Sequence, residues 1–393
     1  MTDVAARLQE LRDRGLYRRL RLVDGPQGPR VELGGREVLL LCSNNYLGLA
    51  DHPQVRAAAA EAAVRWGAGA GASRLISGNM EPHRQLESRL AEFKGYEAAL
   101  LFGSGYLANT GIVPALAGAG EVVFSDALNH ASIVDGCRLS RAETFVYRHR
   151  DLEHLEWGLR QAGERGALIA TDGVFSMDGD VAPLAELLEL ARRHGCRLMV
   201  DEAHATGTVG RGGRGSVAAA GLSGEVDVVV GTLGKALGSY GAFVCASAET
   251  VDFLVNSARP FIFSTAPPPP SVAAAATALE LVSAERVERL QANAAGFRRA
   301  LAAEGLDVDR SSTQIVPIEV GEAEPTMALC EQLLERGVFA QGIRPPTVPE
   351  GSSRLRFTVM ATHQAGELEA AAKLVGAAAR ERGLAAASPA FAA

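Results

Sequence analysis

Cysteine is scarce in this chain: five in 393 residues, at positions 42, 137, 196, 245 and 330, with no CxxC pair. Such spacing supports neither a disulfide frame nor a zinc knuckle. No basic patch stands out either. The formal net charge is −7, and the early arginines (Arg12, Arg14, Arg18, Arg19, Arg21) are mixed with Glu10, Asp13 and Asp24. That balance argues against nucleic acid and anionic membrane as partners. Long apolar runs are missing as well. The most apolar stretches, such as 272–279, are too short to span a bilayer, and the N-terminus carries no apolar leader. His52, His83, His149, His154, His194 and His363 show no metal-ligand spacing, so no metal is expected and none of them is given a role. The expectation is a soluble, cytoplasmic protein.

Against these absences stands one stretch dense in chemistry, from Cys196 to Phe243. Its two halves, CRLMVDEAHATG and VDVVVGTLGKALGSYGAF, each begin as an apolar, β-branched run that ends abruptly in polar residues. Runs of this kind read as strands buried on both faces of a parallel sheet. Ligands in such sheets sit at the carboxyl ends of the strands, which delivers Asp201, His204 and Lys235 to one rim. Gly231, Gly234 and Gly238 flank the lysine and let the backbone approach a bulky ligand. An amine near apolar surroundings can form a Schiff base. A strand-end carboxylate can hold a pyridine nitrogen protonated. Together they fit pyridoxal phosphate chemistry.

The rest of the chain alternates strand and helix. A helix is expected over 3–22, a small hairpin about Gly34-Gly35, and a helix opened by Pro53 and running to Trp66. GAGAGASRLISGN (67–79) reads as a loop, either a ligand cradle or a long crossover. YEAALLF followed by GSGYLANTG is a strand, a glycine turn and a new helix, so Ser104, Gly105 and Tyr106 are candidates to hold a phosphate. Two or three strand-and-helix units follow between 120 and 180. After Phe243 four prolines break the chain, and a helical stretch is expected over 271–304. The domain expectation is an N-terminal arm over 1–45, a large cofactor domain over 46–270, a smaller α+β domain over 271–384 and a disordered tail over 385–393.

SNNYLGL, GSGYLAN, LNHASI, VFSMDGD, VDEAHATG, TLGKALG, FSTAPPP and IRPPTVPEG…RLRFT occur in that order over nearly the whole chain. Together they resemble the α-oxoamine synthase family, fold-type I pyridoxal phosphate enzymes that condense an amino acid with an acyl-CoA and lose carbon dioxide. The resemblance implies an aminotransferase-like α/β fold, its large domain built on a mostly parallel seven-stranded sheet. Within the family, IRPPTVPEG is most similar to members that join L-alanine to pimeloyl-CoA or pimeloyl-acyl carrier protein. Glycine- or serine-using relatives and a non-catalytic relative are the alternatives.

The resemblance also implies roles. Lys235 holds the cofactor and moves the Cα proton, Asp201 partners the pyridine nitrogen, and His130 stacks on the ring. His204 reaches the phenolic oxygen, Ser176 and Thr232 are hydroxyl contacts, and Ser104, Gly105 and Tyr106 form the phosphate loop. Thr265 is donated by the neighbouring subunit of an obligate homodimer, which places the active site at the interface. Arg354 takes the amino-acid carboxylate with help from Asn44, while Thr347 and Arg18 contact the acyl substrate. Two literal motifs belong to other classes. GRGGRG (210–215) fits a dinucleotide loop but does not follow directly on a strand end, and TLGKA lacks the spacer and hydroxyl of a phosphate-binding P-loop.

Overall fold

The computed structural model describes residues 3–384; the expected tail 385–393 lies outside them. Among the described residues the chain divides into a large unit, Leu49–Ser176 with Asp180–Glu288, and a small unit, residues 3–48, Met177–Gly179 and 289–384.

The large unit is built on seven strands in the order Ala98–Phe102, Ala242–Ala246, Val228–Thr232, Arg197–Asp201, Gly166–Asp172, Val122–Asp126, Glu143–Tyr147. Only Ala242–Ala246 runs against its neighbours; the other pairings are parallel. The apolar runs are continuous because both faces are covered. Met199, Val228, Val230, Leu168 and Ala170 enter one core cluster, while Leu198, Val200, Val229 and Ile169 enter another. This is the alternation of side chains across a pleated strand.

Glycine at 231 has a packing reason. A Cβ there would lie 2.3 Å from the Phe243 ring, its partner in register on the reversed strand.

The small unit carries its own core on the strands Ile315–Gly321 and Ser353–Thr358 and the helix Ala365–Glu381. The expected hairpin forms, Arg30–Leu33 against Arg36–Leu40, with Gly34 and Gly35 both at positive φ as a tight turn demands. It belongs to this unit rather than to a separate arm. Val338 and Phe339 pair with Leu39 and Leu40, and Thr358 N–H donates to Leu41 O at 2.8 Å.

Other expected boundaries also move. The first helix covers Val4–Asp13, not 3–22, because Gly15 takes a left-handed conformation and Leu16 N–H closes back on Leu11 O at 2.8 Å. The expected helix 271–304 is two helices, Pro269–Glu280 and Ala284–Ala303, since Ser283 Oγ accepts the Arg286 N–H at 3.2 Å and starts the second. The first of them packs along the helix Pro53–Trp66, so the division between units falls at Glu288/Arg289 instead of near 270. The loop 67–79 contains one π-helical turn, Arg74–Gly78. GRGGRG forms a short turn of 3-10 helix, Arg211–Gly213, ahead of a four-residue helix.

Candidate active site

Six parallel strands of the large sheet end on one rim, and each is followed within a few residues by a polar side chain. Phe102 leads to Ser104, Asp126 to His130, Tyr147 to His149, Asp172 to Ser176, Asp201 to His204 and Thr232 to Lys235. Parallel strands expose their carboxyl ends on the same side, so the sheet itself gathers these groups.

Lys235 sits in the turn after Val228–Thr232, half-buried, with Nζ 2.8 Å from His204 Nε2. The Thr232 hydroxyl secures that turn by accepting the Gly234 N–H at 3.2 Å and donating to Gly241 O at 3.1 Å. Gly238 closes it at φ +58°, where a Cβ would lie 2.3 Å from Ala50 N.

Asp201 is buried at its strand end. Its Oδ1 accepts the Ala203 N–H at 2.8 Å and its Oδ2 accepts Asn109 Nδ2 at 2.6 Å. Asn109 Nδ2 also donates to Ser132 Oγ at 2.9 Å, and that hydroxyl lies 2.7 Å from His130 Nδ1. His130 caps the helix Ala131–Ser140, its Nδ1 accepting the Ser132 N–H at 3.3 Å. Burial of the ring holds the His130 pKa below the ordinary imidazole value; the Asp201 charge opposes this and the Lys235 charge adds to it.

Three members of this network carry no role in the sequence reading: Asn109, Ser132 and Asp172. Asp172 lies beside Asp201 in the strand register and accepts the His130 N–H at 2.9 Å. Burial, reinforced by the Asp201 charge, lifts the Asp172 carboxyl well above the usual carboxylate range. The only signal for Asn109 and Ser132 is their place inside GSGYLAN and LNHASI.

Ser104 caps the helix Gly105–Leu116, its Oγ accepting the Leu107 N–H at 3.2 Å. A Cβ at Gly105 would meet nothing within 4 Å, so the N-terminus of this twelve-residue helix is sterically open at that point. Tyr106 is exposed and its hydroxyl donates to Asp135 at 2.6 Å. Ser176 is buried. Thr265 is exposed and bridges to Ser73.

The small unit holds the remaining residues, and here one expectation is corrected. Arg354 and Arg356 alternate on the strand Ser353–Thr358 and share a face. Arg354 forms an ion pair with Asp178 and donates from Nε to Ser352 O at 3.1 Å. Asn44, expected to assist Arg354, instead accepts from both terminal nitrogens of Arg356 at 3.4 Å. Tyr46 OH also takes an Arg356 nitrogen at 3.4 Å. The reason is the path of SNNYLGL, which is tied to the far end of the strand by Thr358 Oγ1 donating to Ser43 O at 2.7 Å. Arg18 and Thr347 do come together, lining one cavity of about 1070 Å³ with Tyr17 and Arg344. Arg18 Nη2 donates there to Pro345 O at 3.2 Å.

A reversed strand in an otherwise parallel seven-stranded sheet, with a lysine and a buried aspartate on its rim, defines a fold-type I enzyme. The chain belongs to the aminotransferase class I and II family, whose profile matches residues 36–375. It is 58% identical over 389 residues to the 8-amino-7-oxononanoate synthase of Geobacter sulfurreducens, covering 97% of this chain and 99% of that one. It is 57% identical over 380 residues to the synthase of the same name from Citrifermentans bemidjiense, at 95% and 97% coverage. Among solved structures, a serine palmitoyltransferase with pyridoxal phosphate superposes with a TM-score of 0.91 at 35% identity, covering 97% of this chain and 98% of that one. The 8-amino-7-oxononanoate synthase of Francisella tularensis superposes at 0.76 with 29% identity, covering 88% and 98%.

Proposed function

We propose that the protein is a pyridoxal-phosphate-dependent acyltransferase that condenses L-alanine with pimeloyl-CoA or pimeloyl-acyl carrier protein. The products are 8-amino-7-oxononanoate, carbon dioxide and the free thiol, a step of biotin synthesis. The observation that carries this reading is 58% identity to a synthase of that name along essentially both full chains. The strand-end constellation around Lys235 and Asp201 supports it.

The residues present fit the cofactor. Lys235 would anchor its aldehyde, Asp201 would hold its ring nitrogen, His130 would lie along its ring, and the N-terminus of Gly105–Leu116 would take its phosphate. His204, Ser176 and Thr232 complete the polar lining, with Thr265 supplied by the partner subunit of a homodimer; its exposure suits a residue acting across a subunit boundary. When bound, pyridoxal phosphate supplies an electron sink for charge developing at the amino-acid Cα.

The chain's own groups do the rest. Asn109 and the Ala203 N–H each donate to Asp201 and fix the direction in which its carboxylate points. Lys235 takes the Cα proton of alanine and returns one after carbon dioxide leaves. His204, bonded to Lys235 Nζ, orients that amine. We assign the alanine carboxylate to Arg356 with Asn44, because the Arg354 guanidinium is already neutralised by Asp178. Arg18 and Thr347 would meet the acyl chain. No helix among the described residues is long and apolar enough to cross a membrane, and the reading places the enzyme in the cytoplasm.

The test is thiol release from pimeloyl-CoA by protein loaded with pyridoxal phosphate, with L-alanine, glycine and L-serine in separate reactions. Release dependent on alanine and well above the other two is expected. Release with only glycine or serine would overturn the substrate assignment and leave the reaction class standing. A parallel reaction with pimeloyl-acyl carrier protein distinguishes the two donors.

A further inference from the structure

His149, given no role by the sequence, is bonded through both ring nitrogens to carboxylates. Nδ1 lies 2.9 Å from Asp126 Oδ1, and Nε2 lies 2.9 Å from Asp180 Oδ2. Both aspartates are buried. A carboxylate only accepts, so an imidazole held this way donates from both nitrogens and is the cation. Arg150 reinforces the pair, its N–H donating to Asp126 Oδ2 at 2.9 Å and its Nη1 to Asp180 Oδ2 at 3.2 Å. The Phe175 ring stands edge-on to the imidazole, with centroids 4.4 Å apart. The charged groups facing His149 are therefore Asp126 from the strand Val122–Asp126 and Asp180 from the loop after Gly166–Asp172. Arg150, its chain neighbour, shares both carboxylates, and Asp172 lies close enough to feel the Asp126 charge.

Asp180 closes the loop that contains Ser176. Phe175 N–H donates to Asp180 O at 3.0 Å, and Val174 bridges Val181. His149 thus grips this loop at its closing point and ties it to the neighbouring strand end. We infer that His149 is a positioning residue for the proposed reaction: bridging Asp126 and Asp180, it fixes the loop that presents Ser176. The inference rests on the reading of Ser176 as a cofactor contact. Without the imidazolium, buried Asp180 loses a charged donor, while its other oxygen, Oδ1, has no hydrogen-bond partner. Arg150 Nη1 is then the charged donor left to Asp180, and from the half-exposed Arg150 it holds the loop less firmly than the imidazolium bridge to Asp126.

The test compares full-length parent, His149→Gln, His149→Lys, Ser176→Ala and the His149→Gln/Ser176→Ala pair, with and without pyridoxal phosphate. Amide hydrogen exchange over residues 174–181 and the cofactor dissociation constant are read for each. In His149→Gln, exchange should quicken about tenfold and cofactor affinity fall about tenfold, as for one lost charge-assisted hydrogen bond. His149→Lys, which keeps a cation, should recover slow exchange. The double variant should bind the cofactor no more weakly than the weaker single, because both changes act through one contact. If His149→Gln does not fold, Asp180→Asn removes the other half of the pair and should loosen the same amides.

Parental exchange in a folded His149→Gln protein overturns the positioning role, as do cofactor losses that add in the double variant. Parental cofactor affinity in Ser176→Ala shows that the reading of Ser176 has failed, whatever the exchange result, and the inference falls with it.

Discussion

Asn109 divides one side-chain nitrogen between two acceptors, Asp201 Oδ2 at 2.6 Å and Ser132 Oγ at 2.9 Å. It thereby joins the helix Gly105–Leu116, the strand end at Asp201 and the helix that His130 caps. Asn109 is fully buried, so this bond is shielded from water and hard to replace. Asn109→Leu should leave Asp201 held by the Ala203 N–H without its side-chain donor. A lost hydrogen bond to a charged group is worth about 1.5–3 kcal/mol, or roughly a tenfold to hundredfold drop in kcat. Steady-state kinetics with L-alanine at saturating cofactor measures it, and an unchanged kcat would remove Asn109 from the machinery.

Arg356 and Arg354 should separate in kinetics. Arg356→Ala should raise the KM for L-alanine at least about tenfold, as expected when a carboxylate loses a guanidinium partner. Arg354→Ala should act mainly on stability, because it leaves the Asp178 carboxylate without its ion pair. The reverse pattern would return the carboxylate role to Arg354.

Glu202 follows Asp201 directly and is wholly buried against Lys94. It also accepts from Ser216 Oγ at 2.8 Å and Val217 N at 2.7 Å. Lys94→Met should cost about 3–5 kcal/mol, the usual effect of stranding one member of a buried pair. The urea midpoint reads it directly. A shift near zero would mean that water or a rearranged donor reaches Glu202.

His149 makes stability depend on alkaline pH. Burial, the largest single effect on it, lowers its pKa, but the hydrogen bonds and charges of Asp126 and Asp180 together raise it to about 9. The unfolded value is about 6.5. The folded group binds its proton more tightly, so this contribution is complete below the unfolded value and disappears as pH climbs through the folded one. Between those two values the parent should lose stability relative to His149→Gln, and the gap between their urea midpoints should close by about pH 10. A constant gap would show that the imidazole does not titrate there.

Thr265 should complement Lys235 between subunits. Mixed dimers of Lys235→Ala and Thr265→Ala, formed by co-refolding two inactive proteins, should regain roughly a quarter of parental activity. Half of the dimers are then mixed, and each has one intact site. No recovery would place both residues in sites made by a single subunit.

The apolar runs ending in Thr232 and Asp201, and the glycines that punctuate them, determined much of this protein locally. A run such as LMV with a polar stop has one stable environment, a strand covered on both faces, and its carboxyl end is where chemistry collects. Lys235, Asp201, His204 and Thr232 were legible for that reason, and the order of motifs made the family legible as well. Helix ends were less so: Gly15 and Ser283 act as a cap and a start only once their neighbours supply hydrogen-bond partners.

What only the tertiary structure decided is which polar groups meet across long sequence separations. Asn109 reaches Asp201 over 92 positions and Asn44 reaches Arg356 over 312. These meetings depend on strand order and register, which periodicity within one segment does not encode. His149 makes the point most simply. Its neighbours in sequence give it no task, and it acquires one because two strand ends and a returning loop bring two buried carboxylates to its opposite nitrogens.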